Sequence, residues 1–169
     1  MPQLIKNGAV ADNTWERVTM ETAADSVLGA DTGAQVIVPL AMWMAEKDSL
    51  TASDKSIGVW LDSEDDPYEL GDEAANLPLI ALDFPVFRDG RPFSTAAILR
   101  ERLDFKGELR AVGDIHRDQL FYMQRCGFDS FELAEGEDVA TALSAFTDFT
   151  TNYQSTVTEP TPLFRRRQA

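Results

Sequence analysis

Cysteine and histidine are nearly missing from this sequence: its 169 residues include one of each, Cys126 and His116. A single cysteine rules out a disulfide within the chain, and one Cys with one His cannot assemble a zinc site from those ligands. Nor can the chain supply the four sulfur ligands that a cluster held by one polypeptide normally needs. A metal site of carboxylates stays open on composition, but nothing specific points to one, so no metal ligand is assigned. Long apolar runs are also missing. The richest stretch, Val36 to Ala45, is too short to cross a bilayer and contains Pro39. The N-terminus, Met1-Pro2-Gln3-Leu4-Ile5-Lys6-Asn7-Gly8, lacks a basic region followed by an apolar core, so the expectation is a cytoplasmic protein without a secretory signal or a membrane association.

Positive charge is the third scarcity. Fifteen Lys and Arg face 29 Asp and Glu, a net charge of −14. Such a surface repels phosphate backbones and anionic lipid heads, and no nucleic-acid partner is expected. Familiar motifs are absent as well: there is no Gly-rich dinucleotide fingerprint, no phosphate loop ending in Gly-Lys-Ser/Thr, and no Gly-x-Ser-x-Gly elbow. The cofactor is therefore unknown, and none is bound by a recognisable motif.

What is present describes a folded domain. The chain is 44% hydrophobic with 10 Phe, enough to build a core. Asn7-Gly8 between apolar residues predicts a hairpin over residues 4–18, with Trp15 and Val18 on its return strand. Residues 20–34 read as loop. Short apolar runs then recur: Val36-Ile37-Val38-Pro39, Ile57-Gly58-Val59-Trp60-Leu61, Leu79-Ile80-Ala81-Leu82, Leu109-Arg110-Ala111-Val112, and the weaker Ser130-Phe131-Glu132-Leu133. Helical segments alternate with them, from Leu40, from Thr95 to Leu103, from Arg117 to Cys126 before Gly127, and from Asp138 to Tyr153. Pro67 to Asn76 is the poorest of these, because Gly71 interrupts it. Val139, Leu143, Phe146 and Phe149 fall at helical spacing and predict an apolar face. The fold class is therefore α/β: an open, mostly parallel sheet of four to five βα units with an N-terminal β-hairpin, the alternative being a partial (β/α) barrel. Residues 1–157 form one domain, and residues 158–169 a Pro/Arg-rich tail. With Glu159, Arg165, Arg166 and Arg167 make the last eleven residues net +2, so the rest carries −16.

Ligands of parallel sheets bind beyond the carboxyl ends of the strands, where this sequence places Asp62, Asp83 and Asp114. Each either orients a substrate or simply caps the next element. The loop Asp83-Phe84-Pro85-Val86-Phe87-Arg88-Asp89-Gly90-Arg91-Pro92-Phe93-Ser94 brings Arg88 and Arg91 to a helix expected to begin near Ser94, a combination suited to an anion. The competing reading pairs those arginines with local acids. A second polar loop offers Asp114, Arg117 and Gln119 to the same cleft. His116 lies in it, read as an ordinary surface residue. Cys126 is read as a small apolar side chain, not a nucleophile. In the tail, Leu163 and Phe164 are candidate anchors, with Arg165, Arg166 and Arg167 as readers of an acidic partner; the alternative is that the tail folds back on its own acidic surface.

Several strings carry a resemblance. They are Leu79-Ile80-Ala81-Leu82-Asp83-Phe84-Pro85, Asp89-Gly90-Arg91, Leu99-Arg100-Glu101-Arg102, Gly107-Glu108-Leu109-Arg110-Ala111-Val112-Gly113-Asp114, Arg117-Asp118-Gln119-Leu120-Phe121-Tyr122, Arg125-Cys126-Gly127-Phe128-Asp129 and Pro162-Leu163-Phe164-Arg165-Arg166. With them the chain resembles the bacterial family called domain of unknown function 934, from about Gly58 to Arg167. The resemblance implies a neighbourhood: members tend to be encoded beside assimilatory sulfite reductase, and many are labelled as oxidoreductases of sulfite reduction. No catalytic residue is established for the family, so none is carried over. The family pattern reads Gly-Arg-Gly-Tyr-Ser where this chain has Gly90-Arg91-Pro92-Phe93-Ser94, which removes a tyrosine hydroxyl. Sulfite reduction takes several electrons, and no ligand set for siroheme or a cluster is visible here. The resemblance therefore implies an accessory protein of assimilatory sulfite reduction that associates with sulfite reductase or its electron donor. The alternative is a small enzyme acting on an anionic substrate at the strand ends. Whether the chain is an enzyme at all stays open.

Overall fold

In the computed structural model, which describes residues 3–166, strand formation follows the apolar runs. Eight strands form one sheet in the order β2-β1-β8-β7-β6-β5-β4-β3. They are β1 (Leu4–Lys6), β2 (Ala9–Ala11), β3 (Glu16–Arg17), β4 (Gln35–Pro39), β5 (Ser56–Leu61), β6 (Leu79–Phe84), β7 (Glu108–Gly113) and β8 (Ser130–Glu132). From β3 to β8 every neighbouring pair is parallel, while β1 pairs antiparallel with both β2 and β8. From β3 to β8 the strand order follows the chain without reversing, the β1–β2 hairpin is added beyond β8, and the open sheet curls into a half-barrel. This is the open, mostly parallel α/β sheet expected, in the form of its partial-barrel alternative.

The helices are α1 (Ala24–Leu28), α2 (Leu40–Ala52), α3 (Arg91–Glu101), α4 (Arg117–Cys126), α5 (Val139–Ser144) and α6 (Leu163–Arg166), with 3-10 turns at Pro67–Asn76 and Ala145–Thr147. Buried residues of α2 to α5, among them Trp43, Leu50, Leu99, Leu120, Met123 and Ala142, share one core with Val38, Val59, Leu82, Ala111 and Phe131 of the strands. The other sheet face holds a smaller cluster of Ile37, Leu79, Ala81 and Val112, with Trp15 and Trp60 packed against it. A parallel strand buried on both faces needs apolar residues at successive positions, which explains runs such as Leu79-Ile80-Ala81-Leu82.

Several expectations need correcting. Asn7 and Gly8, at φ 51° and 75°, turn the chain as a two-residue hairpin requires, but the return strand is Ala9–Ala11. Trp15 and Val18 lie outside it. Residues 12–15 cross the concave face from one sheet edge to the other, where Glu16 and Arg17 pair with β4. Two contacts hold the crossing. Trp15 covers the small apolar cluster, and Asn13 Oδ1 accepts from Arg110 Nη1 at 2.8 Å. Arg110, 1% exposed in mid-strand, is neutralised by Glu108 at 2.7 Å. Burial works to raise the Glu108 carboxyl, but Lys6 and Arg110 hold it below its ordinary value.

Residues 20–34 include the short helix α1. Helix α3 begins at Arg91 after Gly90, a turn earlier than Ser94. The helix expected over 138–153 stops much sooner, running as α5 and one 3-10 turn to Thr147, so Phe149 points outward at 63% exposure instead of joining the apolar face. Gly127 does close α4 in the left-handed region, at φ 108°. Gly113, at φ 101°, is required for a second reason: a Cβ there would lie 2.4 Å from the Phe84 carbonyl oxygen.

Candidate functional site

The carboxyl ends of β6 and β7 set out the polar groups. Strand alternation sends Phe84 into the helix-covered core and Asp83 to the concave face. There Asp83 accepts from Arg17 at 3.1 Å, and Arg17 also lies over Trp60, 5.8 Å from the ring centroid. Trp60 Nε1 donates to Val18 O at 3.0 Å. These residues, with Thr19, Met20 and Glu21, line a cleft of about 550 Å³ at the position where barrel proteins hold their ligands.

One residue further on, the chain builds a compact polar hub. The backbone N–H of Phe87 donates to Asp114 Oδ2 at 2.9 Å, and Gln119 Nε2 donates to the Phe87 carbonyl at 3.1 Å. Gln119 Oε1 accepts from the His116 backbone N–H at 3.1 Å, securing the start of α4. The His116 ring sits between two carboxylates, with Nε2 at 2.8 Å from Asp114 Oδ1 and Nδ1 at 2.7 Å from Glu137 Oε1. Glu137 first, and Asp114 after it, hold the imidazole above its ordinary pKa, against the opposing effect of partial burial. Phe87 packs edge-on against the ring at 5.8 Å. His116 is thus no ordinary surface residue. It joins three loops at the carboxyl edge of the sheet, and protonated it donates from both ring nitrogens.

The expected anion site is not gathered into one cleft. Arg91 turns its fork onto Asp89, with Nε at 3.0 Å from Oδ1 and Nη2 at 2.7 Å from Oδ2, and reaches Ser63 and Glu64 as well. This pairing drives the Asp89 carboxyl well below the usual carboxylate range. Arg88 and Ser94 are both exposed, and Ser94 lies inside α3 without serving as its cap. Arg117 points the other way, donating to Asp148 at 2.8 Å and to Ser144 at 3.2 Å. Asp62 accepts from the backbone N–H groups of Glu64 and Asp65, a local turn. Asp114 and Gln119 do meet, in the hub, whereas Asp83 lines the separate cleft with Arg17 and Trp60. Burial pushes the Cys126 thiol up, consistent with an inert side chain. No three or more His, Cys, Asp or Glu among the described residues are grouped to hold a metal ion.

A different surface gathers around α4. Phe93 packs on Tyr122 at 5.1 Å, Phe121 on Phe149 at 5.1 Å, and Arg125 donates to Gln154 O at 3.0 Å. Past Thr147 the chain therefore lies along α4. Tyr122, Phe149, Tyr153 and Phe164 are 53%, 63%, 69% and 54% exposed. Within the C-terminal segment the candidate anchors divide. The Leu163 N–H donates to Tyr153 O at 3.2 Å, and Leu163 is half-buried. Arg166 pairs with Glu159 and donates to Asn152 O at 2.6 Å, so this arginine is used within the chain. Phe164 and Arg165 face outward with their side chains stacked, and Arg167 lies outside the described residues.

The sequence offered no signal for the His116–Glu137 contact, because Glu137 sits 21 positions away in a loop without pattern. Arg17 reaches the cleft only through the crossing of residues 12–15, whose partners lie far along the chain and leave no local pattern.

Residues 58–164 match the family described as "Bacterial protein of unknown function (DUF934)". Neither a curated protein nor a solved structure matches the chain.

Proposed function

We propose, from the premise that the chain belongs to the DUF934 family, that it serves assimilatory sulfite reduction as an accessory protein that binds sulfite reductase or its electron donor. The observation that carries the binding half of this reading is the exposure of four aromatic side chains, Tyr122 on α4 and Phe149, Tyr153 and Phe164 in the segment after α5, with Arg165 lying over the Phe164 ring. Aromatic residues and arginine are the side chains most often found at the energetic centre of a protein interface. The sulfur half rests on the genomic company that the resemblance implies. Two of the three arginines that suggested an enzyme on an anionic substrate are engaged elsewhere, Arg91 with Asp89 and Arg117 with Asp148, while Arg88 is exposed. An anion approaching the hub would meet Asp114 and Glu137 first, so binding of a partner is the better-supported reading.

The test is co-purification of the full chain with sulfite reductase and with its electron donor. A complex that weakens at high salt and on removal of residues 162–169 supports the contact; one indifferent to both counts against it. Growth of a strain lacking the gene gives the cellular counterpart. Rescue by cysteine but not by sulfite is the expected result, and equal growth on sulfate, sulfite and cysteine would remove the sulfur assignment.

A further inference from the structure

Gln119 is among the few polar residues that the fold buries, at 8% exposure, and both ends of its amide are used at the carboxyl edge of the sheet. Securing the start of α4 accounts for Oε1 and leaves Nε2, which holds the Phe87 carbonyl. Asp114 Oδ2 accepts from the Phe87 N–H, so the backbone of Phe87 is fixed at both of its polar groups. The side chain positioned in this way does not join the core. Phe87 is 48% exposed and Val86 before it 47%, although Phe84, two positions earlier, is fully buried. An aromatic side chain presented to solvent on a fixed backbone binds with little loss of conformational freedom, which favours its use as an interface anchor.

Two further observations bear on what the anchor meets. Gln119, which holds Phe87, and the exposed Tyr122 are three residues apart on α4 and so are neighbours on its surface. Tyr122 also packs on Phe93 of α3, the helix that the Phe87 loop enters. The loop is thus continuous with a side chain already assigned to partner binding. The second observation is charge. The Phe87 ring lies edge-on to His116, which sits between the partly exposed carboxylates of Asp114 and Glu137. The ground beside the anchor stays net negative even with the imidazole protonated. A second copy of this chain would bring the same carboxylates, and a net charge of −14, against it. A pocket bordered by Lys or Arg is complementary instead.

We propose that Val86 and Phe87 are an anchor for the protein partner, inserted into an apolar pocket bordered by basic residues. The inference rests on the partner-binding reading above and adds to it a point of contact at the carboxyl edge of the sheet. Gln119 acts as its positioning residue.

Immobilised sulfite reductase, and separately its electron donor, titrated with the full chain and four variants, test the proposal. Phe87→Ser is expected to lose about tenfold or more in affinity, and Phe87→Leu to stay close to the wild type. Val86→Glu and Val86→Lys remove the same apolar group and differ in the sign of their charge, so the glutamate variant should bind the more tightly. Phe87→Ser binding as well as the wild type overturns the anchor, while the partner reading still stands or falls with Phe149 and Tyr153. Binding of neither protein by the wild type overturns both. Val86→Lys binding the more tightly overturns the basic border. Self-association of the wild type in sedimentation that Phe87→Ser abolishes would assign the loop to a second copy and overturn the proposal.

Discussion

Arg100 shows how much of the fold one side chain can hold. Its Nε donates to Gly127 O, its Nη1 to the carbonyls of Phe105 and Gly107, and its Nη2 to the Asp129 carboxylate at 2.8 Å. The end of α3, the loop after it, the end of α4 and the approach to β8 are thereby joined at one guanidinium whose side chain is 13% exposed. Replacing one partner of a covered charge pair leaves the other uncompensated, which typically costs about 3 kcal/mol or more. Arg100→Leu is therefore expected to lower unfolding free energy in urea by about that amount. Arg100→Lys, which keeps the charge but loses the fork, is expected to fall between. A loss below about 1 kcal/mol in the leucine variant would contradict this role. Nothing in the sequence singles out Arg100 for this role, because three of its four partners are backbone carbonyls, which carry no sequence signal.

Among the elements, the loops at the carboxyl edge stay together through His116. The imidazole is held above its ordinary pKa in the folded chain and returns to about 6.5 when unfolded. The sign follows from that order. The protonated ring stabilises the fold fully below about pH 6.5, and the contribution is lost as pH rises through the folded-state value. Because the ring is more than a third exposed, the effect stays at about 1 kcal/mol or less. A histidine ring-proton titration should show a midpoint above 6.5, and His116→Gln should flatten the fall in melting temperature above neutrality. A midpoint at or below 6.5 would refute the arrangement. The elements themselves were largely legible. Strands β4 to β8 and helix α4 follow from apolar runs bounded by Asp, Gly and Pro, since a buried parallel strand and an amphipathic helix each leave a local period. The crossing of residues 12–15 was not legible. Its partners, Arg110 and the cluster of Ile37, Leu79, Ala81 and Val112, belong to strands far along the chain. Nor was the site. The loop of Arg88 and Arg91 looked like an anion cradle because Asp89, which neutralises Arg91, is itself the turn residue between them.

For the whole molecule, a strongly acidic body carries an aromatic surface along α4 that ends at Phe164 and Arg165. Steering by net charge and holding by aromatic contact are separable, since salt screens the first within about 10 Å and leaves the second. Raising ionic strength from 0.05 to about 0.5 M is therefore expected to change the association rate with the partner more than the dissociation rate. A stopped-flow or interferometric record of both rates checks this, and a purely dissociative effect would place the charges inside the contact. The most direct measurement of the central claim is the affinity of immobilised sulfite reductase, and separately of its electron donor, for the wild-type chain and for Phe149→Ser/Tyr153→Ser. Both side chains are largely exposed, so the variant should keep its melting temperature. The account expects one of the two proteins to bind the wild-type chain and to lose at least tenfold in affinity for the variant. Equal affinity for both chains, or binding of neither partner by the wild type, would contradict it.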